Sequence, residues 1–135
     1  MPLTQTLDQP ETSLETLAVL FKAFGDPARI RILNLLAAKG ELCNCHIESV
    51  TGYGNSKISR HFNYLRQANL IQSRREGLWI YYSLKPASNE IHHFLHMILD
   101  SMPGMYEILK LDLERIDALR MSPAPGHCNR DNPTS

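Results

Sequence analysis

Two cysteines, Cys43 and Cys45, stand one residue apart in the segment ELCNCH, with His46 directly after the second. A third thiol, Cys128, lies far down the chain, and His127 precedes it. Thiolates select soft or borderline ions such as As(III), Sb(III), Cd(II), Zn(II) or Cu(I). As(III) accepts three sulfurs in a pyramid, so Cys43 and Cys45 need a third, from Cys128 of the same or a second chain or from an external thiol. Zinc takes mixed sulfur and nitrogen ligands in a tetrahedron, which makes His46 and His127 the alternative partners. At i and i+2 two side chains diverge on a regular helix. Chelation by Cys43 and Cys45 therefore requires a frayed or distorted first turn, which a helix starting after Gly40 permits. A helix N-terminus also favours the thiolate. The same pair could instead form a redox-switched disulfide. Taken alone, the two cysteines are better explained as a small apolar filler, Cys43, and an exposed bystander, Cys45.

A second chemistry follows in the chain. Ser56, Lys57, Ser59, Arg60, His61 and Asn63 fall on the outward side of a helical pattern whose inward stripe is Ile58, Phe62 and Leu65. Arg and Lys suit guanine edges and phosphates, and Ser and Asn suit phosphates or adenine. Arg74 and Arg75 follow in a strand-like stretch and suit phosphates. Residues 55–85 hold six basic residues and one acidic, a local charge of +5, within a chain whose net charge is +0. A neutral protein with one basic segment fits a binder whose contact surface is local. Surface charges clustering by chance would look the same on this criterion alone.

These residues need elements to hold them. Thr12-Ser13-Leu14-Glu15 resembles a capping box, and Leu14, Leu17, Ala18, Phe21 and Phe24 form the apolar stripe of a first helix. Asp26-Pro27 starts a second helix and Lys39-Gly40 closes it, with Ile30, Ile32, Leu33, Leu35, Leu36 and Ala37 facing inward. Residues 41–50 read as a short third helix, 51–54 as a turn, and about 56–68 as a fourth helix capped by Asn55 or Ser56. A short helix, a Gly-containing turn and a helix with a polar basic face is the helix-turn-helix pattern. Two β-branched and aromatic runs around Glu76-Gly77 then predict a β-hairpin, placed as a wing. Ser88 or Asn89 can cap a further helix lined by Ile91, Phe94, Leu95, Ile98, Leu99 and Met102. On it His92, His96 and Asp100 share a face, read as solvated or interfacial. After Pro103-Gly104 a last amphipathic helix carries Met105, Ile108, Leu109, Leu113, Ile116 and Leu119, with Asp112 as its one polar break.

The expected organisation is a disordered arm over 1–11, a winged-helix DNA-binding and dimerisation domain over 12–102, a C-terminal helix over 103–120 and a flexible tail over 121–135. The class is mainly α with a β-hairpin wing, a winged helix-turn-helix. No apolar run approaches the ~20 residues that cross a bilayer, so no membrane partner is expected. The N-terminus lacks the basic and apolar regions of a secretory signal, and three cysteines suit a reducing compartment. Cytoplasm is the expected location. The apolar surface of the N-terminal and C-terminal helices exceeds what one small domain buries, and a two-fold dimer through them would cover the excess. No strand-to-helix redox motif, His/carboxylate pairing or phosphate loop is present, so no catalytic residue and no permanently bound cofactor are expected. A winged-helix module that binds protein instead of DNA fits the basic bias less well.

From about Leu14 to Leu84 the chain resembles the ArsR/SmtB family of winged-helix metalloregulatory repressors, arsenic-responsive type. FKAFGDPARIRILNLL resembles the family's opening helices, ELCNCH its arsenic box, SKISRHFNYLRQANLI its recognition helix and REGLWIYYSL its wing. The resemblance implies a homodimeric repressor that binds operator double-stranded DNA and releases it when a metal or metalloid ion binds. It implies four helices, two strands and a fifth helix, to which this chain adds a further one. As(III) or Sb(III) is the implied inducer, with Zn(II), Cd(II) or thiol oxidation as alternatives. Two departures stand out. The third cysteine of the box is replaced by Glu48, and the family's other ion site, on the last core helix, has Pro103 and Tyr106 where ligands would fall.

Overall fold

The computed structural model describes residues 13–120. The arm over 1–11 and the tail carrying His127 and Cys128 lie outside the described residues. Helix α1 is Leu14–Ala23 and α2 is Pro27–Lys39. Strand β1 is Glu41–Cys43, α3 is Asn44–Thr51 and α4 is Asn55–Gln67. The hairpin is β2, Ile71–Glu76, with β3, Trp79–Leu84. Helix α5 is Glu90–Ser101, a 3-10 turn spans Met102–Gly104, and α6 is Glu107–Arg120.

Helix α2 is the hub. Asp26 caps it by accepting from the Ala28 N–H at 2.8 Å, and Pro27 opens it. Ala28, Ile32, Leu33, Leu35 and Leu36 are all buried, so apolar residues face several sides of the helix at once. It packs on α5, α6 and β3. Phe62 of α4 stacks on Tyr82 of β3 with ring centroids 3.8 Å apart, which fixes the fourth helix to the wing.

Several boundaries differ from the sequence reading. Residues 41–43 are not helix: they form an edge strand paired antiparallel with β3, Glu41 opposite Ser83 and Cys43 opposite Tyr81. The hairpin leaves the free edge of β3 open, and three extended residues after Gly40, at φ 84°, satisfy it. The sheet is therefore three-stranded, in the order β1-β3-β2. Ser13 caps α1 through the Thr16 N–H. Gly54 occupies the N-cap of α4, not Asn55 or Ser56. Asn89, one of the two caps expected for α5, does cap it, accepting from the His92 N–H.

The two end helices show the larger difference. On α1 the buried residues are Leu20 and Ala23, while Leu14 is 78% and Phe21 61% exposed. On α5, Leu95 and Leu99 are buried and Phe94, Met97 and Ile98 are exposed. His92, expected on a solvated or interfacial face, is buried. An apolar stripe identifies a face to be covered but not what covers it. Helix α6 packs against α2 and α3, with Leu109 and Ile116 in the common core. Its polar break, Asp112, is fully buried and accepts two hydrogen bonds of 2.8 Å from Arg31. No described helix is long and apolar enough to cross a membrane.

Candidate DNA interface and thiol site

Helix α4 buries Ile58, Phe62 and Leu65 and turns its other side outward. Ser56, Lys57, Arg60 and Asn63 are exposed, and Ser59 is half-buried. The Lys57 ammonium lies 4.2 Å from the centroid of the Tyr53 ring, a cation–π contact that orients it at the start of the helix. Arg66 donates to the Asn63 carbonyl oxygen at 3.0 Å, leaving the Asn63 amide hydrogens for other acceptors.

His61 departs from the sequence reading. It is turned inward and buried, with Nδ1 3.4 Å from Arg29. The physical reason is the neighbourhood of α1 and α2. Arg29 donates to the Lys22 and Ala23 carbonyls at 2.9 and 3.0 Å, closing the end of α1, and its guanidinium lies 4.0 Å above the Tyr64 ring. His61 completes that contact. Burial pushes the His61 imidazole below its ordinary pKa; Asp26 opposes this, while Arg29, Lys57 and Arg60 add to it.

The wing carries Arg74 and Arg75, both exposed. Arg74 is engaged: it donates twice to Glu41 at 2.6 and 2.8 Å and once to Glu76 at 2.6 Å, and packs over Tyr81. The side-chain bonds from Glu41 and Glu76 raise the Arg74 pKa, and the bond from Arg74 lowers that of Glu41. As a phosphate contact Arg74 would first have to exchange these carboxylates.

Cys43 is the last residue of β1 and the N-cap of α3, in extended conformation at φ −93° and ψ 171°. Cys45 is the second residue of the helix. This junction of strand and helix supplies what a regular helix could not: the two sulfurs lie 3.1 Å apart. His46 sits at the edge of the pair, with Nδ1 3.4 Å from the Cys43 sulfur. Its Nδ1 also accepts from the Cys43 N–H at 3.2 Å, so to ligate through that atom it must give up this bond.

Three residues that hold the site drew no notice in the sequence: Arg31, Tyr53 and Asn44. Arg31 reaches both Asp112 and the Tyr53 hydroxyl, the latter at 3.1 Å, and so ties α6 to the turn before α4. Asp112 raises the Arg31 pKa against the effect of burial. Asn44, between the cysteines, donates to Asn55 and lies 3.4 Å from Ser59. Arg31, set between the apolar Ile30 and Ile32, was the signal available for the first.

A helix-turn-helix whose second helix presents a basic face, followed by a three-stranded sheet with a wing, defines a winged-helix DNA-binding regulator. The family model for "Bacterial regulatory protein, arsR family" matches residues 26–73. The arsenical resistance operon repressor of Escherichia coli K12 is 32% identical over 113 residues, covering 84% of this chain and 89% of that protein. An uncharacterised HTH-type transcriptional regulator of Methanocaldococcus jannaschii is 44% identical over 68 residues, half of this chain and 76% of the relative. Among solved structures, the homodimeric winged helix-turn-helix DNA-binding domain from Mycobacterium bovis superposes with a TM-score of 0.57 at 27% identity, over 73% of this chain and 88% of that one. The chain belongs to the ArsR family; it is a DNA-binding transcriptional repressor and not an enzyme.

Proposed function

We propose that the protein binds operator DNA as a homodimer in the cytoplasm and is released when As(III) or Sb(III) binds Cys43 and Cys45. The observation that carries this reading is that Cys43 and Cys45 meet at the entry to α3, the helix immediately before the reading helix. Ser56, Lys57, Ser59, Arg60 and Asn63 meet the major groove, and Arg75 meets a phosphate, with Arg74 able to join by exchanging Glu41 and Glu76. His61 acts behind this face, as a packing partner of Arg29. A third sulfur comes from Cys128 or from an external thiol. The exposed apolar residues of α1 and α5 form the contact between the two copies. The similarity to an arsenical resistance operon repressor supports the ion. The release follows from linkage: an ion that binds the free dimer better than the DNA-bound one lowers DNA affinity by the same factor.

The contact of His46 with the Cys43 sulfur favours a second reading, a Zn(II)- or Cd(II)-responsive repressor with mixed sulfur and nitrogen ligands. Oxidation of the touching thiols is the third route to the same switch. Native mass spectrometry of the reduced full chain separates these. The expected particle holds two chains and, after arsenite, one arsenic per chain, with none on Cys43→Ser. A single-chain particle removes the dimer, and equal arsenic uptake by Cys43→Ser removes the site.

A further inference from the structure

We infer that Asn44 is the positioning residue through which the thiol pair acts on the reading helix; this rests on the sensing function proposed above. Asn44 is the first residue of α3 and lies between the two candidate ligands in the chain. Its side chain does not face the sulfurs' business with an ion but crosses to α4. The amide Nδ2 donates to the Oδ1 of Asn55, the first residue of α4, and lies 3.4 Å from the hydroxyl of Ser59, one turn further on. One side chain thus spans the opening turn of the helix that carries Ser56, Lys57 and Arg60.

The geometry makes this contact sensitive to the cysteines. Cys43 is extended and Cys45 helical, so the backbone at residue 44 is where one conformation turns into the other. An ion held by both sulfurs sets their separation and with it the dihedral angles between them. A hydrogen bond lapses once donor and acceptor part beyond about 3.5 Å, and the Ser59 contact already stands at 3.4 Å, so a small displacement of the amide loosens the link. The amide's bonding is also one-sided: its Oδ1 is buried with no hydrogen-bond partner among the described residues, so every bond it makes runs to α4. Among the described residues no hydrogen bond ties the Asn44 side chain to any element but α4. The start of α4 then loses its tie to α3, while the core contacts of Ile58, Phe62 and Leu65 stay as they are.

The test reads coupling, not affinity. Fluorescence anisotropy with a duplex from the protein's own promoter region gives the DNA Kd of each variant with and without saturating arsenite. The ratio of the two cancels any loss of basal DNA binding. For the native chain a ratio of about 10-fold or more is expected, within the usual 5–150-fold range of such coupling. Asn44→Ala and Asn55→Ala, which cut the same bond from its two ends, should each fall below about 3-fold, and the double variant should fall no further. Arsenic uptake by free Asn44→Ala should match the native chain, which a merely structural defect at the site would not leave intact. A native ratio retained by both single variants overturns the inference and leaves the sensing function standing. A native chain with no ratio at all overturns both.

Discussion

Replacing Asp112 by alanine should be one of the most destabilising single changes on the surface-distant side of α6. The carboxylate is fully buried and accepts both of its 2.8 Å bonds from Arg31, whose side chain is 15% exposed. Removing one partner of a buried ion pair leaves the other charge uncompensated and costs about 3–5 kcal/mol. Arg31 retains the Tyr53 hydroxyl and a little solvent, which places the cost at the lower end, about 3 kcal/mol. For a domain of this size that corresponds to a fall in Tm of roughly 12 °C. The control is Asp117→Ala. Asp117 pairs with Lys39 at 2.5 Å but is 56% exposed, and a pair of that kind contributes at most about 0.5 kcal/mol. Both variants are melted by circular dichroism at one protein concentration, because an associating protein has a concentration-dependent Tm. Equal melting temperatures for the two would refute the claim that α6 is bound to α2 through this pair.

Four further outcomes are expected. Protonation of His61 is disfavoured in the folded protein because burial lowers its pKa below the ordinary 6.5. The unfolded chain therefore takes up the proton first, so stability is full above about pH 6.5 and declines as pH falls toward the folded pKa. His61→Phe should flatten the difference in urea midpoint between pH 7.5 and 5.5; an unchanged difference assigns it to other groups. Arg75→Ala should flatten the salt dependence of duplex binding by about 0.9 in slope. Arg74→Ala should flatten it less, because Glu41 and Glu76 already hold that guanidinium, and the reverse order would show that Arg74 is the phosphate contact. Phe21→Asp or Phe94→Asp places a charge on the exposed apolar face and should convert a dimer to a monomer by sedimentation; a dimer that survives both locates the interface elsewhere.

The parts of the fold legible in the sequence are those set by local chemistry. Asp26-Pro27, Gly40 and the period of α2 mark a helix whatever surrounds it, and the alternation around Glu76-Gly77 marks the wing. Residues 41–43 were not legible, because a three-residue strand exists only where a distant edge, here β3, receives it. That strand also decides the thiol geometry: read as helix, Cys43 and Cys45 diverge, and read as strand and helix, they touch. The inward turn of His61 depends on Arg29, 32 residues earlier, and no helical period contains that information. The apolar faces of α1 and α5 were visible as faces, and Leu95 was legible on one of them, but that Leu20 enters the core while Phe21 and Phe94 stay exposed is set by the third dimension alone.

The central claim is that a thiophilic ion at Cys43 and Cys45 loosens the hold of Asn55–Gln67 on DNA. The most direct measurement is the retardation of a promoter duplex by the reduced protein as arsenite is added, for the native chain beside a Cys43→Ser, Cys45→Ser double variant. The native complex should dissociate as arsenite saturates it, and the variant should stay bound throughout. Release of both at the same arsenite concentration, or of neither, would contradict the account.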